Sequence, residues 1–287
     1  MPGSLHRYSA FTTDPSGGNP AGVWLGDALP DPAEMQAIAA EVGYSETAFV
    51  APATGPVRTI RYYSPAAEVS FCGHATIATG VVLGELDGDG RYLLQTTVGD
   101  VPVEVRTRDG RREALLTSVE PRHEPVSDAL LDGALAALGW SRDDLDPLLP
   151  PARAFAGAWH LVLAVRSAAR LARLDYDFDR LRALMLEDGL TTLQLLWRER
   201  TDLFHARDPF PVGNVVEDPA TGAAAAALGG YLRAAGQVRV PATITIRQGE
   251  AMGRPSRLTV EIPASGGIVV AGNAVAIPVA EPAGAAG

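Results

Sequence analysis

The sequence predicts an α+β fold of two pseudo-symmetric domains, each a curved, mostly antiparallel or mixed sheet wrapped around a central helix. The 287 residues are enough for two domains of roughly 140 residues. A stretch of small residues followed by an apolar helix occurs once in each half. The remaining segments read as strands with short connections, which favours antiparallel or mixed pairing. We expect domains at residues 1–122 and 123–287, with the last strand packing on the N-terminal domain.

The repeated segments are residues 71–86 (FCGHATIATGVVLGEL) and 217–232 (EDPATGAAAAALGGYL). Gly73 aligns with Gly222 at an offset of 149 residues (222 − 73). Small residues leave the first-turn N–H groups of such helices uncovered, so a carboxylate or phosphate could bind at either helix start. The alternative is a pair of small-residue helices packed tightly in a core. Later residues also align under this offset: Gly80 with Gly229, and Leu83 with Leu232.

In the first half, one helix is marked at both ends. Asp31 and Pro32 predict its start, and Gly43 follows the last periodic apolar residue, so we expect a helix over 32–42. Alternating apolar residues and turn signals predict strands in the rest of this half. They are 5–11, 48–51, 57–63, 92–97, 101–106 and 113–117; residues 23–25 form an apolar segment, and residues 68–71 lead into the first small-residue helix.

In the second half, residues 121–151 are predicted as a linker that contains a helix over 128–138, ended by Gly139. Asp218 is predicted as the N-cap of the second small-residue helix, with Pro219 as its first residue. We expect a frayed tail at 282–287. The other predicted elements are a helix at 178–186 and strands at 161–165, 193–197, 202–206, 243–247, 258–262, 268–270 and 274–277.

Composition excludes several classes of function. A formal net charge of −10 argues against nucleic acid or an anionic membrane as a partner. No apolar run reaches the length of a membrane span and no apolar signal core opens the sequence, so we expect a cytoplasmic protein. All 24 basic residues are arginine, so a pyridoxal phosphate Schiff base and a P-loop lysine are both excluded. We expect no cofactor.

Proton transfer at the two helix starts would need a general acid or base. Glu46 stands just ahead of an apolar strand, which places it to point into a cleft, although a solvated strand-start carboxylate is the commoner case in isolation. An aspartate before proline more often only caps its helix, and a lone histidine is more often partly buried and hydrogen-bonded. The candidates near the two starts are Glu46, Glu68, His74, Glu217 and Asp218.

Cys72 is the single cysteine, so the chain has no internal disulfide and cannot form a two-thiol racemase. A helix N-terminus favours a thiolate, but a buried cysteine acting as a small apolar residue is more frequent, and we prefer that interpretation. The remaining histidines show no metal-ligand spacing, so we predict no metal site. They are His6, His123, His160 and His205.

Four segments occur in the order found in the PhzF family of phenazine-biosynthesis isomerase-like proteins, which the sequence resembles. They are residues 18–21 (GNPA), 45–50 (SETAFV), 73–76 (GHAT) and 217–222 (EDPATG), and residues 248–256 (QGEAMGRPS) are also similar. The resemblance implies the diaminopimelate epimerase fold, with the site between its two domains. It also implies a homodimer.

The best-understood member of that family isomerises trans-2,3-dihydro-3-hydroxyanthranilate without a cofactor. The resemblance therefore implies that Glu46 moves a proton between two carbons of a small carboxylated metabolite. It implies that His74 and Asp218 hold this anionic substrate and stabilise the charge that develops on it. The substrate-binding residues that it implies are Asn19, Ser45, Gly73, Thr221, Gly222 and Ala223.

Two positions depart from the related proteins. The family commonly has serine where this chain has Ala223, so one hydroxyl contact to the substrate is missing and its identity stays open. Cys72 falls where related epimerases carry one of two thiols, and Pro219 occupies the place of the other. Two alternatives remain: a racemase or epimerase that uses Cys72 with Glu46 or Asp218, and a non-catalytic small-molecule-binding protein of the same fold.

Overall fold

The structure is a computed structural model that describes residues 3–278, so the predicted tail at 282–287 lies outside the described residues. The chain divides into two compact units. The first comprises Met1–Ala114 and Asn273–Gly287, and the second comprises Leu115–Gly272. Within the described residues, no helix combines the length and the apolar composition needed to cross a membrane.

Helices are few. They are α1 (Pro32–Val42), α2 (Gly73–Asp87), α3 (Asp128–Leu138), α4 (Ala168–Ala172), α5 (Phe178–Glu187) and α6 (Gly222–Ala234). Short 3-10 turns occur at Arg142–Asp144, Pro211–Gly213 and Glu250–Met252.

Strands make up most of the remaining regular structure. In the first half they are β1 (Ser4–Ala10), β2 (Asn19–Leu25), β3 (Glu46–Pro52), β4 (Val57–Tyr63), β5 (Glu68–Val69), β6 (Gly90–Thr96), β7 (Gly99–Arg108) and β8 (Arg111–Thr117). In the second half they are β9 (Arg122–Pro125), β10 (Ala152–Phe155), β11 (Trp159–Val165), β12 (Thr192–Arg200), β13 (Leu203–Phe210), β14 (Val215–Asp218), β15 (Ala242–Gln248), β16 (Ser256–Ile262) and β17 (Val269–Ala276).

The two units repeat one pattern of strand pairing. In the first unit, β1 pairs with β2 antiparallel, β2 with β3 parallel, β3 with β4 antiparallel, β4 with β6 parallel and β6 with β7 antiparallel. The second unit repeats this alternation. There β10 pairs with β11 antiparallel, β11 with β12 parallel, β12 with β13 antiparallel, β13 with β15 parallel and β15 with β16 antiparallel. Each unit also carries a short antiparallel strand, β5 or β14, immediately before its small-residue helix. The mixed sheets and the repeated pattern confirm the α+β prediction.

The small-residue helix is the centre of each unit. Helix α2 is buried along most of its length and packs against β1, β2, β3 and β7, while α6 packs against β9, β10, β11 and β16. A Cβ atom added to Gly80 would lie 2.7 Å from the Ala114 side chain, and one added to Gly229 would lie 2.9 Å from Val260. Because such contacts leave no room for a side chain, the two aligned glycines allow each helix to lie close to its sheet.

The other face of each sheet is covered by different helices. In the first unit α1 contributes Met35 and Ala39 to a cluster with Phe49 and Tyr63. In the second unit, α3 and α5 cover alternate residues of β11 and β12 with a larger apolar cluster. Strands buried on both faces explain the near-continuous apolar runs in β3 and β11.

Two sequence predictions for the second half are wrong. The supposed linker is part of the fold, because β9 pairs with β10 and α3 supplies buried leucines to the core. Asp218 is not the N-cap of α6: it ends β14, and Thr221 occupies the cap position. Pairing of β14 with β13 keeps the backbone extended up to Asp218, so the helix begins three residues later than its sequence suggests.

Candidate active site

In the first unit, strand pairing places Glu46 beside the start of the central helix. Glu46 is the first residue of β3 and pairs with Ala21 of the parallel strand β2. His74 lies in the first turn of α2. The Oε2 atom of Glu46 is 3.4 Å from the Nε2 atom of His74, and the two side chains are 17% and 8% exposed. Two predicted catalytic residues thus meet at the helix start.

Cys72 is the third member of this group. It occupies the N-cap position of α2, and its thiol donates to Glu46 Oε2 at 3.5 Å. The Sγ atom also lies 3.4 Å from Nδ1 of His74. Cys72 is buried, as we expected, but it is more than an apolar filler because it contacts both candidate catalytic side chains. We call these three residues the Glu46–Cys72–His74 cluster.

Ser45 extends the cluster. Its Oγ atom lies 3.3 Å from Nε2 of His74, so the imidazole lies within reach of a hydroxyl and a carboxylate at the same nitrogen. A carboxylate, a thiol and an imidazole in mutual contact can accept, hold and return protons, which is the chemistry of general acid–base catalysis.

Glu68 does not join this cluster. Its carboxylate accepts hydrogen bonds from Nε and Nη2 of Arg61, the latter at 2.7 Å, on an exposed part of the first unit. The Arg61 hydrogen bond holds the pKa of Glu68 below its ordinary value. An ionised, ion-paired carboxylate is a poor proton acceptor, so Glu68 is a weak candidate for proton transfer.

In the second unit, the start of α6 is fixed by side chains from two strands. Asp218 accepts a hydrogen bond from the Thr221 hydroxyl at 2.5 Å. Gln248, the last residue of β15, donates from its amide to the Asp218 carbonyl at 2.8 Å and accepts from the Thr221 backbone N–H at 3.3 Å. Gln248 was not among the predicted site residues, although its segment was part of the family resemblance.

Glu217 is committed to a structural ion pair. Its Oε2 atom lies 2.5 Å from Nη2 of Arg207, and the two side chains are 3% and 14% exposed. Arg207 also donates to the carbonyl of Ala172 at 3.0 Å, which anchors the guanidinium. The carboxylate is therefore neutralised inside the protein and is not a candidate for proton transfer.

Asp208 is a buried acid that no sequence motif marks. It is fully buried on β13, directly opposite Asp218 of β14. Among residues 3–278, neither of its carboxylate oxygens has a hydrogen-bond partner. Burial, followed by the neighbouring charge of Asp218, raises the pKa of Asp208 well above its ordinary value. Only strand register places it here, so no local motif could have identified it.

The remaining predicted binding residues lie at element ends. Asn19 is a buried residue that opens β2, and Gly73 and Gly222 are the first residues of α2 and α6. Ala223 lies in the first turn of α6. The substrate-binding roles of these residues, and the catalytic role of Asp218 in the second unit, stay predictions.

The chain matches a known protein family over most of its length. The model of the phenazine biosynthesis-like proteins, PhzC-PhzF, matches residues 8–279. An uncharacterised isomerase of Bacillus subtilis (strain 168), YfhB, is 31% identical over 274 residues, which cover 92% of each chain. The trans-2,3-dihydro-3-hydroxyanthranilate isomerase of Pseudomonas fluorescens is 33% identical over 261 residues, or 88% of each chain.

A solved structure is similar in fold. The phenazine biosynthesis protein of the PhzF family from Bacillus anthracis superimposes with a TM-score of 0.85 at 24% sequence identity. The match covers 97% of this chain and 98% of that one.

Proposed function

The chain belongs to the phenazine biosynthesis-like protein family and is an isomerase, and on that premise we propose that it moves a proton between two carbons of a small carboxylated metabolite without a cofactor. Glu46 is the proposed general acid–base residue. The observation that carries this proposal is the 3.4 Å contact between Glu46 Oε2 and His74 Nε2 in a largely buried cluster.

Each step conserves atoms and electrons. The Glu46 carboxylate removes a proton from one carbon, and the electrons of the broken C–H bond shift through the conjugated system of the substrate. The carboxylic acid then returns a proton to a second carbon, so the product is an isomer and nothing is oxidised. His74 and Ser45 hold polar groups of the substrate while charge develops on them.

The proposed substrate is an anion. Gly73 opens α2, where the first N–H groups have no partner within the helix and the helix dipole favours a negative charge. A substrate carboxylate bound there would bring its neighbouring carbons toward Glu46. We include Asp218 among the proposed substrate-holding residues on the family resemblance.

The test uses trans-2,3-dihydro-3-hydroxyanthranilate, the substrate in the name of the Pseudomonas fluorescens relative, in deuterated water. We expect deuterium at the carbon that receives the proton, measured by NMR or mass spectrometry. Glu46→Gln should lower the rate by about 10²- to 10⁴-fold, because the amide cannot transfer the proton.

Glu68→Gln is the matched control, since it makes the same change at an exposed carboxylate of the same unit. It should keep the wild-type rate. Retained turnover in Glu46→Gln together with loss of turnover in Cys72→Ala would contradict the proposal.

The racemase alternative fits the first unit less well. Two bases on opposite faces of one carbon stand about 6–7 Å apart, because each must approach within about 3–3.5 Å of it. Cys72 Sγ and Glu46 Oε2 are only 3.5 Å apart, which leaves no space for a carbon between them.

A further inference from the structure

The Glu46–Cys72–His74 cluster combines three kinds of metal ligand. One ligand atom from each residue, a carboxylate oxygen, a thiol sulfur and an imidazole nitrogen, lies within 4.8 Å of the other two. The sequence predicted no metal site because spacing along the chain does not reveal that β3 brings Glu46 to the start of α2. We propose that these three side chains form a binding site for one divalent cation of the zinc class.

The distances between the ligand atoms fit tetrahedral coordination. Zinc bonds of about 2.3 Å to sulfur and about 2.0–2.1 Å to nitrogen and oxygen separate tetrahedral ligand atoms by about 3.3–3.6 Å. The observed separations are 3.5 Å from Sγ to Oε2, 3.4 Å from Oε2 to Nε2 and 3.8 Å from Sγ to Nε2. Sγ lies at similar distances from Nδ1 and Nε2, 3.4 and 3.8 Å, so binding also requires a rotation of the imidazole that directs the Nε2 lone pair toward the ion.

The charges and the chemistry of the three ligands favour an ion of the zinc class over magnesium and calcium. Ligation deprotonates the thiol, so Cys72 and Glu46 supply two negative charges and His74 a neutral nitrogen. Sulfur and imidazole ligands favour zinc or cobalt, whereas magnesium and calcium prefer oxygen ligands throughout. Three protein ligands leave a fourth tetrahedral position for water.

The scaffold holds the ligands in place and leaves a route to them. Cys72 and His74 lie two residues apart at the N-cap and in the first turn of α2, and Glu46 opens β3. The 17% exposure of the Glu46 side chain gives an ion access to a cluster whose other two members are nearly buried.

Metal binding would act as an off switch for proton transfer. A carboxylate oxygen that donates its lone pair to zinc cannot accept a proton, so one bound ion should inhibit the isomerase reversibly. This consequence rests on the proposed function. The binding site itself does not, and its test needs no substrate.

The test is a titration of the full-length protein with Co²⁺, followed by absorption spectroscopy, and with Zn²⁺, followed by calorimetry. We expect one ion per chain, an intense visible spectrum typical of tetrahedral Co²⁺, and a near-ultraviolet thiolate-to-cobalt band. Cys72→Ala and Cys72→Ser should both abolish the thiolate band. They and His74→Gln should weaken Zn²⁺ binding by more than the roughly 10- to 100-fold typical of residues outside the coordination sphere.

His205→Ala is the matched control. His205 contacts the carboxylates of Glu199 and Glu250 on the second unit, so its removal tests for adventitious binding at another histidine–carboxylate group. It should leave the Co²⁺ spectrum and the Zn²⁺ affinity unchanged. The proposal is wrong if wild-type protein gives no thiolate band, or if Zn²⁺ affinity survives in both Cys72 variants. Circular dichroism of each variant separates loss of a ligand from loss of the fold.

Discussion

The two units carry the same ion pair in different surroundings. Glu68 and Glu217 lie 149 residues apart (217 − 68), the offset of the helix repeat, and occupy matching positions in the β4–β5 and β13–β14 ladders. Each binds the arginine at the matching position of the neighbouring strand, Arg61 or Arg207. The first pair is 33% exposed on both sides, whereas the second is 14% and 3% exposed. The same kind of ion pair thus occurs in both units, and only the second is buried.

Next to its ion pair, each unit buries one polar side chain, and these two side chains differ in their hydrogen bonding. Tyr62 lies opposite Val69 in the first unit, and Asp208 lies opposite Asp218 in the second. The Tyr62 hydroxyl is 2.7 Å from the Thr76 hydroxyl, while neither Asp208 oxygen is hydrogen-bonded within the described chain. Burial raises the pKa of both groups, which favours their uncharged forms.

A third difference lies at the first residue pair of a parallel ladder in each unit. The β2–β3 ladder starts with the pair Ala21 and Glu46, and the β11–β12 ladder starts with His160 and Thr192. His160 is fully buried and its Nδ1 atom is 2.8 Å from the Thr192 hydroxyl. Glu46 and Thr192 occupy matching positions in the two ladders. The Glu46 carboxylate is partly exposed, whereas the Thr192 hydroxyl lies within hydrogen-bond distance of the buried His160. Matching backbone ladders do not imply matching chemistry.

The largest expected effect comes from breaking the buried ion pair. Arg207→Met leaves Glu217 charged and unpaired inside the protein, which should lower the free energy of unfolding by about 3–5 kcal/mol. Arg61→Met, the matched change in the first unit, should cost about 1 kcal/mol or less, because its partner stays in contact with water. Urea unfolding at neutral pH measures both. Equal costs would show that burial does not distinguish the pairs.

The next effect is acid sensitivity in the second unit. Burial lowers the pKa of His160 to about 3, so the unfolded chain binds a proton there more readily than the folded chain. Stability from this residue is present above the unfolded pKa of about 6.5 and is lost as pH falls toward the folded value. Between pH 7 and pH 4 the loss is about 3 kcal/mol. His160→Gln should remove it, and an unchanged pH dependence in urea unfolding would contradict this.

The smallest expected effect concerns Asp208, whose contribution to stability changes with pH in the opposite direction to that of His160. The raised pKa of Asp208 means that the folded protein keeps a proton that the unfolded chain releases, so stability falls as pH rises between the two pKa values. Asp208→Asn should stabilise the protein by about 1–3 kcal/mol at pH 8 and by much less near pH 4. Tyr62→Phe, the matched change in the first unit, should instead lose about 0.5–1.5 kcal/mol at both pH values. A gain for Asp208→Asn that does not grow with pH would contradict the assignment.

Local signals predicted both ends of α1 and α3 correctly. Helix α1 ends at Val42 and α3 ends at Leu138, as predicted, because their caps lie within the same few residues. Asp31 accepts from the Glu34 N–H, and Gly139 adopts the left-handed conformation that ends α3. In the site, the family motifs selected Glu46 and His74, which the structure brings into contact.

The failures have a common cause in strand pairing between distant residues. The β9 strand has the composition of a linker and becomes regular only by pairing with β10, about thirty residues later. Gln248 reaches Thr221 from β15, and Asp208 meets Asp218 through register. Cys72 was predicted as a buried apolar residue because nothing in its own segment shows that Glu46 lies beside it.

The first unit is discontinuous along the chain. Strand β1 pairs with β2 on one side and with residues 274–276 of β17 on the other. The second unit is one continuous stretch, from Leu115 to Gly272. On the ribosome, the edge of β1 in the first unit therefore stays unpaired until residues 274–276 have been translated, whereas the second unit needs only the stretch from Leu115 to Gly272. While that sheet edge is exposed, it can pair with a strand of another chain, which is a route to aggregation.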